Sequence, residues 1–206
     1  MVGTVCVGAI MALLDASIVN VAMPTFQRVF ASTVSHVEWI ALAYLLTLTM
    51  LLTIFGRVAD LFGRSRMYNV GFLVFIIGSA SCALAPSLLV LIAARVLQAA
   101  GAAMLQTNSV ALITSATPRQ RLGAAIGVQG AAQAVGLAIG PSVGGFLLVA
   151  FGWQAIFWVN VPFGLVGAGL AYAFLPKDEA VEHRPPFDLV GAALIAISTF
   201  SGMLAL

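Results

Sequence analysis

Asp15 and Arg95 each lie well inside a long apolar run of this 206-residue chain. An ionisable group at the centre of a bilayer costs at least about 2.5–3.5 kcal/mol on insertion scales, so it is a functional candidate by default. Helical rise of roughly 1.5 Å per residue places both side chains roughly 10 Å below the same boundary, at a depth where they could meet. Two chemistries are open to such a pair. It could be a fixed ion pair that locks two helices. It could instead exchange protons or a cationic substrate at a cavity, with Arg95 as the coupling partner of Asp15.

Further polar side chains interrupt the same apolar runs: Asn20, Gln98, Gln106, Asn108, Gln129 and Gln133. Gln129 and Gln133 stand one helical turn apart and share a face. Such amides either line a cavity or tie helices together, the latter worth under about 1 kcal/mol each. A second pattern is made of small residues, with Gly136, Gly140, Pro141, Gly144 and Gly145 following Gly123 and Gly127. Glycine at every fourth position lets helix backbones approach, and a proline removes one backbone hydrogen bond and can kink the helix. The expectation is a tight, gated interface between two helix bundles. A third pattern sets Asp60 among Arg57, Arg64 and Arg66, between Gly56 and Gly63. An acid at a helix end can latch a neighbouring helix N-terminus in one conformational state.

The elements that must position these groups are membrane spans. The chain is 62% hydrophobic and 8% charged, against about 25% charged in soluble domains. Apolar runs near the bilayer length of about 20 residues predict spans at roughly 3–24, 38–57, 68–86, 88–113, 123–150, 153–175 and 187–206. Pro24 is read as closing the first. Ala85-Pro86-Ser87 separates the third from the fourth, and Phe151-Gly152-Trp153 the fifth from the sixth. The fifth is long and is expected to tilt or to extend beyond the membrane. Residues 1–175 then form a six-span bundle, 176–186 a polar loop, and 187–206 a seventh span. Arg57, Arg64, Arg66, Arg119, Arg121, Lys177 and Arg184 fall in alternate loops, with only Arg28 in the others. The positive-inside rule therefore puts that set, and the N-terminus, in the cytoplasm. Gly56-x5-Phe62-Gly63 and Gly145-x5-Phe151-Gly152 close the second and fifth spans on opposite sides of the membrane, as two three-helix units of inverted topology would require.

Other functions find little support. The basic residues form no stripe for nucleic acid. Cys6 and Cys82 stand alone in apolar runs without the spacing of a metal or redox site. His36 and His183 lie in loops, and no second acid or base accompanies Asp15, so neither an enzyme nor a metal or cofactor site is expected.

Together these motifs resemble the major facilitator superfamily, in particular the N-terminal part of its fourteen-span drug:proton antiporters. Gly56-x3-Asp60-x2-Gly63-Arg64-x-Arg66 resembles the loop signature of the superfamily. Arg95-x2-Gln98-x2-Gly101 resembles its proton-coupling motif, and Gly136 to Gly145 its antiporter motif. Leu14-Asp15-x-Ser17-Ile18-Val19-Asn20 and Trp153 to Gly164 resemble first- and sixth-span signatures of drug exporters. Leu61, Asn108, Gln154 and Ala155 depart from those patterns. The resemblance implies an all-α membrane fold, a six-helix bundle of inverted 3+3 repeats plus one further span, in a plasma or inner membrane. It implies that Asp15, Arg95 and Gln98 couple protons to substrate and that Asn20, Asn108, Gln129 and Gln133 line the cavity. The glycines and Pro141 would gate, and Gly56, Asp60, Gly63, Arg64 and Arg66 would latch the cytoplasmic end. The implied partners are lipid, protons, a small amphipathic or cationic molecule, and a C-terminal half of the same protein beyond Leu206. Transport of a metabolite or nutrient by the same scaffold is the alternative, as is a truncated half that does not transport.

Overall fold

The computed structural model describes residues 2–176 together with Gly191 and Ser198. Its elements are α1 Val2–Val29, α2 Val34–Phe62, α3 Arg64–Ala83, α4 Leu88–Ala116, a 3-10 turn Arg119–Arg121, α5 Leu122–Phe151, α6 Ala155–Trp158 and α7 Asn160–Phe174. The last two form one crossing, so the described residues make six helices long and apolar enough to cross a membrane. The seventh span expected at 187–206, and the loop before it, lie outside the described residues except for Pro176, Gly191 and Ser198.

Hydropathy located the crossings but not their ends. α2 begins at Val34 and ends at Phe62, several residues beyond the expected 38–57 at each end. The helical backbone continues past the hydrocarbon boundary, where the side chains turn polar. Pro24 does not close the first helix, because α1 runs through it to Val29. A proline inside a helix frees one carbonyl, here that of Asn20, and Pro24 lies on an exposed flank of the bundle. The Arg57–Arg66 segment is not a loop either. It is helical on both sides of Gly63, which turns the chain with φ 101° while its N–H bonds Ala59 O at 2.9 Å. Gly152, its counterpart in the repeat, has φ 84° and bonds Leu148 O at 3.2 Å. Both helices thus stop at a residue whose backbone conformation L side chains rarely adopt.

Crossed pairing carries the repeat into three dimensions. α1 packs chiefly on α5, and α4 on α2 and α3. Along α1 and α5 the contacts advance together, with Gly136 at Ile10, Gly140 at Leu14 and Ser17, and Gly144 at Ile18, so the two helices run parallel. α2 and α4 are likewise parallel. Arg95 Nε donates to Ile40 O at 3.3 Å and, three turns on, the Thr107 hydroxyl donates to Leu52 O at 3.0 Å. Each repeat's first helix therefore lies beside the second helix of the other repeat.

The α1–α5 contact also explains how α5 stays continuous through Pro141. Proline at 141 has no N–H for the carbonyl of Leu137, one turn earlier. The Ser17 hydroxyl of α1 donates to that carbonyl at 2.9 Å. It can reach because residue 140 is glycine, where a Cβ would come within 2.5 Å of Ser17 Cβ. Ser17→Ala should therefore destabilise the protein by about 1 kcal/mol when Pro141 is present, and by much less when residue 141 is alanine with its own N–H. Thermal melting of the four variants in detergent measures this, and equal losses in both backgrounds would contradict the compensation.

Candidate functional site

Two hydrophobic cores divide the bundle. One is built on Val5, Met11, Tyr68, Phe72, Phe75 and Leu105. The other, at the end away from the arginine-rich turns, is built on Ile18, Phe26, Ile40, Leu91, Trp153 and Phe157. Between them lies one polar layer, to which α1, α3, α4 and the α6–α7 crossing contribute side chains.

Asp15 and Arg95 meet in that layer. Arg95 Nη1 lies 2.6 Å from Asp15 Oδ2, with side chains 1% and 0% exposed. The carboxylate accepts two further bonds at Oδ1, from Gln98 Nε2 at 2.9 Å and Asn160 Nδ2 at 2.7 Å. Gln98 closes a ring, because its Oε1 accepts from Arg95 Nη1 at 2.7 Å. The guanidinium is supported on its other side by the Ile40 carbonyl and by the face of Tyr44, 4.1 Å from the ring centroid. Asn160 is anchored in turn by Ser79 Oγ, which accepts from Nδ2 at 3.0 Å and donates to Phe157 O at 2.9 Å. Opposite charges in contact, each with further hydrogen bonds, are the arrangement a low-dielectric interior tolerates. Phe26, Trp153 and Phe157 stack edge-to-face and in parallel above it, with Phe30 against Trp153.

Glycines make the close packing possible. A Cβ on Gly78 would fall 2.5 Å from Gln98 Cα, so α3 can press against α4 at the amide only without one.

The other sequence candidates are dispersed. Asn20 is exposed on α1 and Gln133 half-buried on α5. Asn108 and Gln129 are buried and bonded inside the bundle. Asn108 is buried and donates to Met104 O of its own helix at 2.8 Å. Gln129 is buried and donates to Ser109 Oγ at 2.7 Å, and its Oε1 is a buried acceptor without a protein donor. The glycine stripe, expected between two bundles, packs on α1 within the described residues. Gly136, Gly140 and Gly144 face α1 inside one bundle, whereas Pro141 is exposed and a Cβ on Gly145 would meet nothing within 4 Å. The stripe points inward because residues spaced by four lie along one side of the helix, and Gly145 is turned about 100° from Gly144.

At the arginine-rich end, Asp60 of α2 and Arg64 of α3 form an exposed ion pair at 2.9 Å. Each charge sits at the start or end of the neighbouring helix that its sign favours, acid near an N-terminus and base near a C-terminus. An exposed pair of this kind is worth roughly 0–1 kcal/mol, a strength suited to breaking and re-forming. Gly56 brings α2 onto α4, where a Cβ would lie 3.2 Å from the Thr107 methyl. Gly63 forms the turn, and Arg66 lies exposed in the first turn of α3.

Sequence reasoning missed Asn160, Ser79 and Tyr44. Asn160 carried a signal, as a lone amide within an apolar run two residues before Pro162. Ser79 carried none, since Ser81 in the same helix merely bonds its own Ile77 carbonyl.

Known proteins share this architecture. The chain is 38% identical to the riboflavin transporter RibZ of Clostridioides difficile over 98% of its own length and 44% of that relative's. It is 38% identical to the multidrug resistance protein Stp of Mycobacterium tuberculosis over 93% of its length and 36% of that protein's. The chain thus spans less than half the length of these relatives. The solved structure of a peptide transporter POT in complex with sulfate superposes with TM-score 0.79 over 99% of this chain and 44% of that one, at 16% identity, which speaks for the fold alone. The model of the Major Facilitator Superfamily matches residues 5–204. The six-helix bundle around a buried ion pair is matched by that model over nearly its whole length, and the chain belongs to the Major Facilitator Superfamily.

Proposed function

We propose that the protein is the N-terminal half of a secondary exporter that exchanges protons for drug-like amphipathic or cationic compounds by alternating access. The observation that carries this reading is the Asp15–Arg95 pair, dry and caged by amides between two apolar cores. A well-packed apolar substitute is commonly as stable as a buried ion pair or more so, so stability alone is a poor reason to keep one. A carboxylate that exchanges its proton or its cation partner when the bundle opens supplies a better one. In this reading the arginine-rich end and the N-terminus face the cytoplasm, and the membrane is the plasma or inner membrane. Gln98 holds the two charges in register. Asp60 and Arg64 latch the cytoplasmic end in one state and release in the other, with Gly56 and Gly63 setting the approach and turn of α2. The α1–α5 glycine contact keeps Asp15 tied to α5 as the bundle rocks. Asn20, exposed on α1, and Gln133 are offered to the substrate. The similarity to Stp supports a drug-like substrate.

A second reading rests on the other relative. Its name places riboflavin among the candidate substrates, and a neutral, planar, hydrogen-bonding vitamin would use the same scaffold without a cationic cargo. Proteoliposomes containing the full-length protein separate the two. Export of a cationic dye under an imposed proton gradient supports the first, and saturable riboflavin movement without dye export supports the second.

The role of the ion pair is tested on the same preparation. Asp15→Asn alone leaves a buried guanidinium without its counter-charge and should cost about 3–5 kcal/mol in stability. Adding Arg95→Gln should restore most of that loss, as read by thermal melting, because no uncompensated charge remains. Proton-driven transport should be absent in both variants. A stable double variant that still exports against a gradient would sink the coupling role and leave the pair a structural tie.

A further inference from the structure

The sixth crossing is weakened where it touches Asp15. α6 ends at Trp158 and α7 begins at Asn160, while Val159 between them keeps helical backbone angles, φ −59° and ψ −31°. Pro162 weakens this α6–α7 joint, since it has no N–H for the Trp158 carbonyl and its ring crowds that oxygen. Asn160 lies within the joint, and its amide bonds Asp15 at 2.7 Å and Ser79 at 3.0 Å. Ser79 ties back to the Phe157 carbonyl on the other side of Val159 at 2.9 Å. One hydrogen-bonded chain, Asp15–Asn160–Ser79–Phe157, runs across the joint.

We propose that Asn160 is a positioning residue through which the α6–α7 joint reads the charge on Asp15. With Asp15 ionised, its oxygen accepts a charge-assisted bond that holds Asn160 and closes the joint. When the carboxylate is neutralised that bond loses about half its strength, and the joint loosens. The other ionisable groups around the carboxylate are Arg95 from α4, Tyr44 from α2, whose hydroxyl bonds Ala12 O, and Cys82 from α3, whose thiol bonds Gln98 Oε1. Those bonds lead away from the sixth crossing, and Arg95 meets it only through the Phe157 ring, 5.9 Å from the guanidinium, whereas the Asn160 amide bonds the Asp15 carboxylate directly. Phe157, part of the aromatic stack at this end, is the residue whose backbone the chain grips. The proposal builds on the coupling role given to Asp15 above, and its test needs no transport, so the two can fail separately.

The measurement is hydrogen–deuterium exchange of the full-length protein in lipid nanodiscs, read over residues 157–161 and, as a reference, over α3. Neutralising the pair by Asp15→Asn with Arg95→Gln should speed exchange of the joint about fivefold to tenfold, the difference between a charged and a neutral hydrogen bond, and leave α3 unchanged. Asn160→Ala should speed it as much, and neutralising the pair in that background should then add nothing. Ser79→Ala, which removes the anchor but leaves Asn160 in place, should give the same non-additive pattern should Asn160→Ala fail to fold. Wild-type exchange at the joint in Asn160→Ala, or an equal response to neutralisation with and without the amide, would overturn the proposal.

Discussion

Hydrocarbon cannot solvate a charge, and the bundle is arranged around that fact. Asp15 and Arg95 can be buried because they neutralise one another at 2.6 Å and because dipoles are set around the pair. Those dipoles come from separate elements: Gln98 from α4, the Ile40 carbonyl and Tyr44 ring from α2, and Asn160 from the sixth crossing. To bring them within reach the helices must approach more closely than side chains usually allow. Gly78 lets α3 lie against Gln98, and Gly140 lets α5 meet α1 at Leu14 and Ser17, on either side of Asp15. The glycine content of the spans and the charged pair are thus parts of one solution. An interior without the pair could be filled with leucine and would need fewer bare backbone contacts.

The position of the pair between two dry cores has a functional consequence. The core toward the arginine-rich end and the core beneath the Phe26–Trp153–Phe157 stack each exclude water. Any exchange of a proton or cation at Asp15 therefore requires one core to part, and the two need not part together. In the proposed transporter, alternating access would have to meet that condition.

Much of this was legible in the residues. Apolar runs of bilayer length locate the crossings because in hydrocarbon every backbone group must be bonded within its own helix. Asp15 and Arg95 were legible as partners because a charge in a span is rare and helical rise gives its depth. Register around the helix was not legible. A soluble helix reveals its buried side by its polar one, but α3 and α5 are apolar on every side, so the sequence could not separate Gly144, which meets Ile18, from Gly145, which meets nothing. The same ambiguity made Asn108 and Gln129 look like cavity residues. One bonds its own helix and the other Ser109 of the next. Asn160 went unassigned because many polar side chains in these spans, Asn69 and Ser81 among them, return to the carbonyl one turn back.

Comparison of the two crossed interfaces shows that the repeat is symmetric in path and asymmetric in bonding. At α2–α4 the Thr107 hydroxyl donates to Leu52 O beside Gly56; at α1–α5 the Ser17 hydroxyl donates to Leu137 O beside Gly140. Each is a hydroxyl set over a glycine and bonded to a leucine carbonyl about one turn earlier. Leu52 O still has the N–H of Gly56 four residues on, so the threonine bond is an addition to an intact helix. Leu137 O has lost its partner to Pro141, so the serine bond replaces one that the helix lacks. Separating α2 from α4 therefore forfeits one side-chain bond, whereas separating α1 from α5 would also strand a carbonyl in hydrocarbon, which costs several kcal/mol by the usual estimate, about 2–7. Asp15 sits on the helix whose neighbour is the harder to leave. By this comparison α1 is held to α5 more firmly than α2 is held to α4.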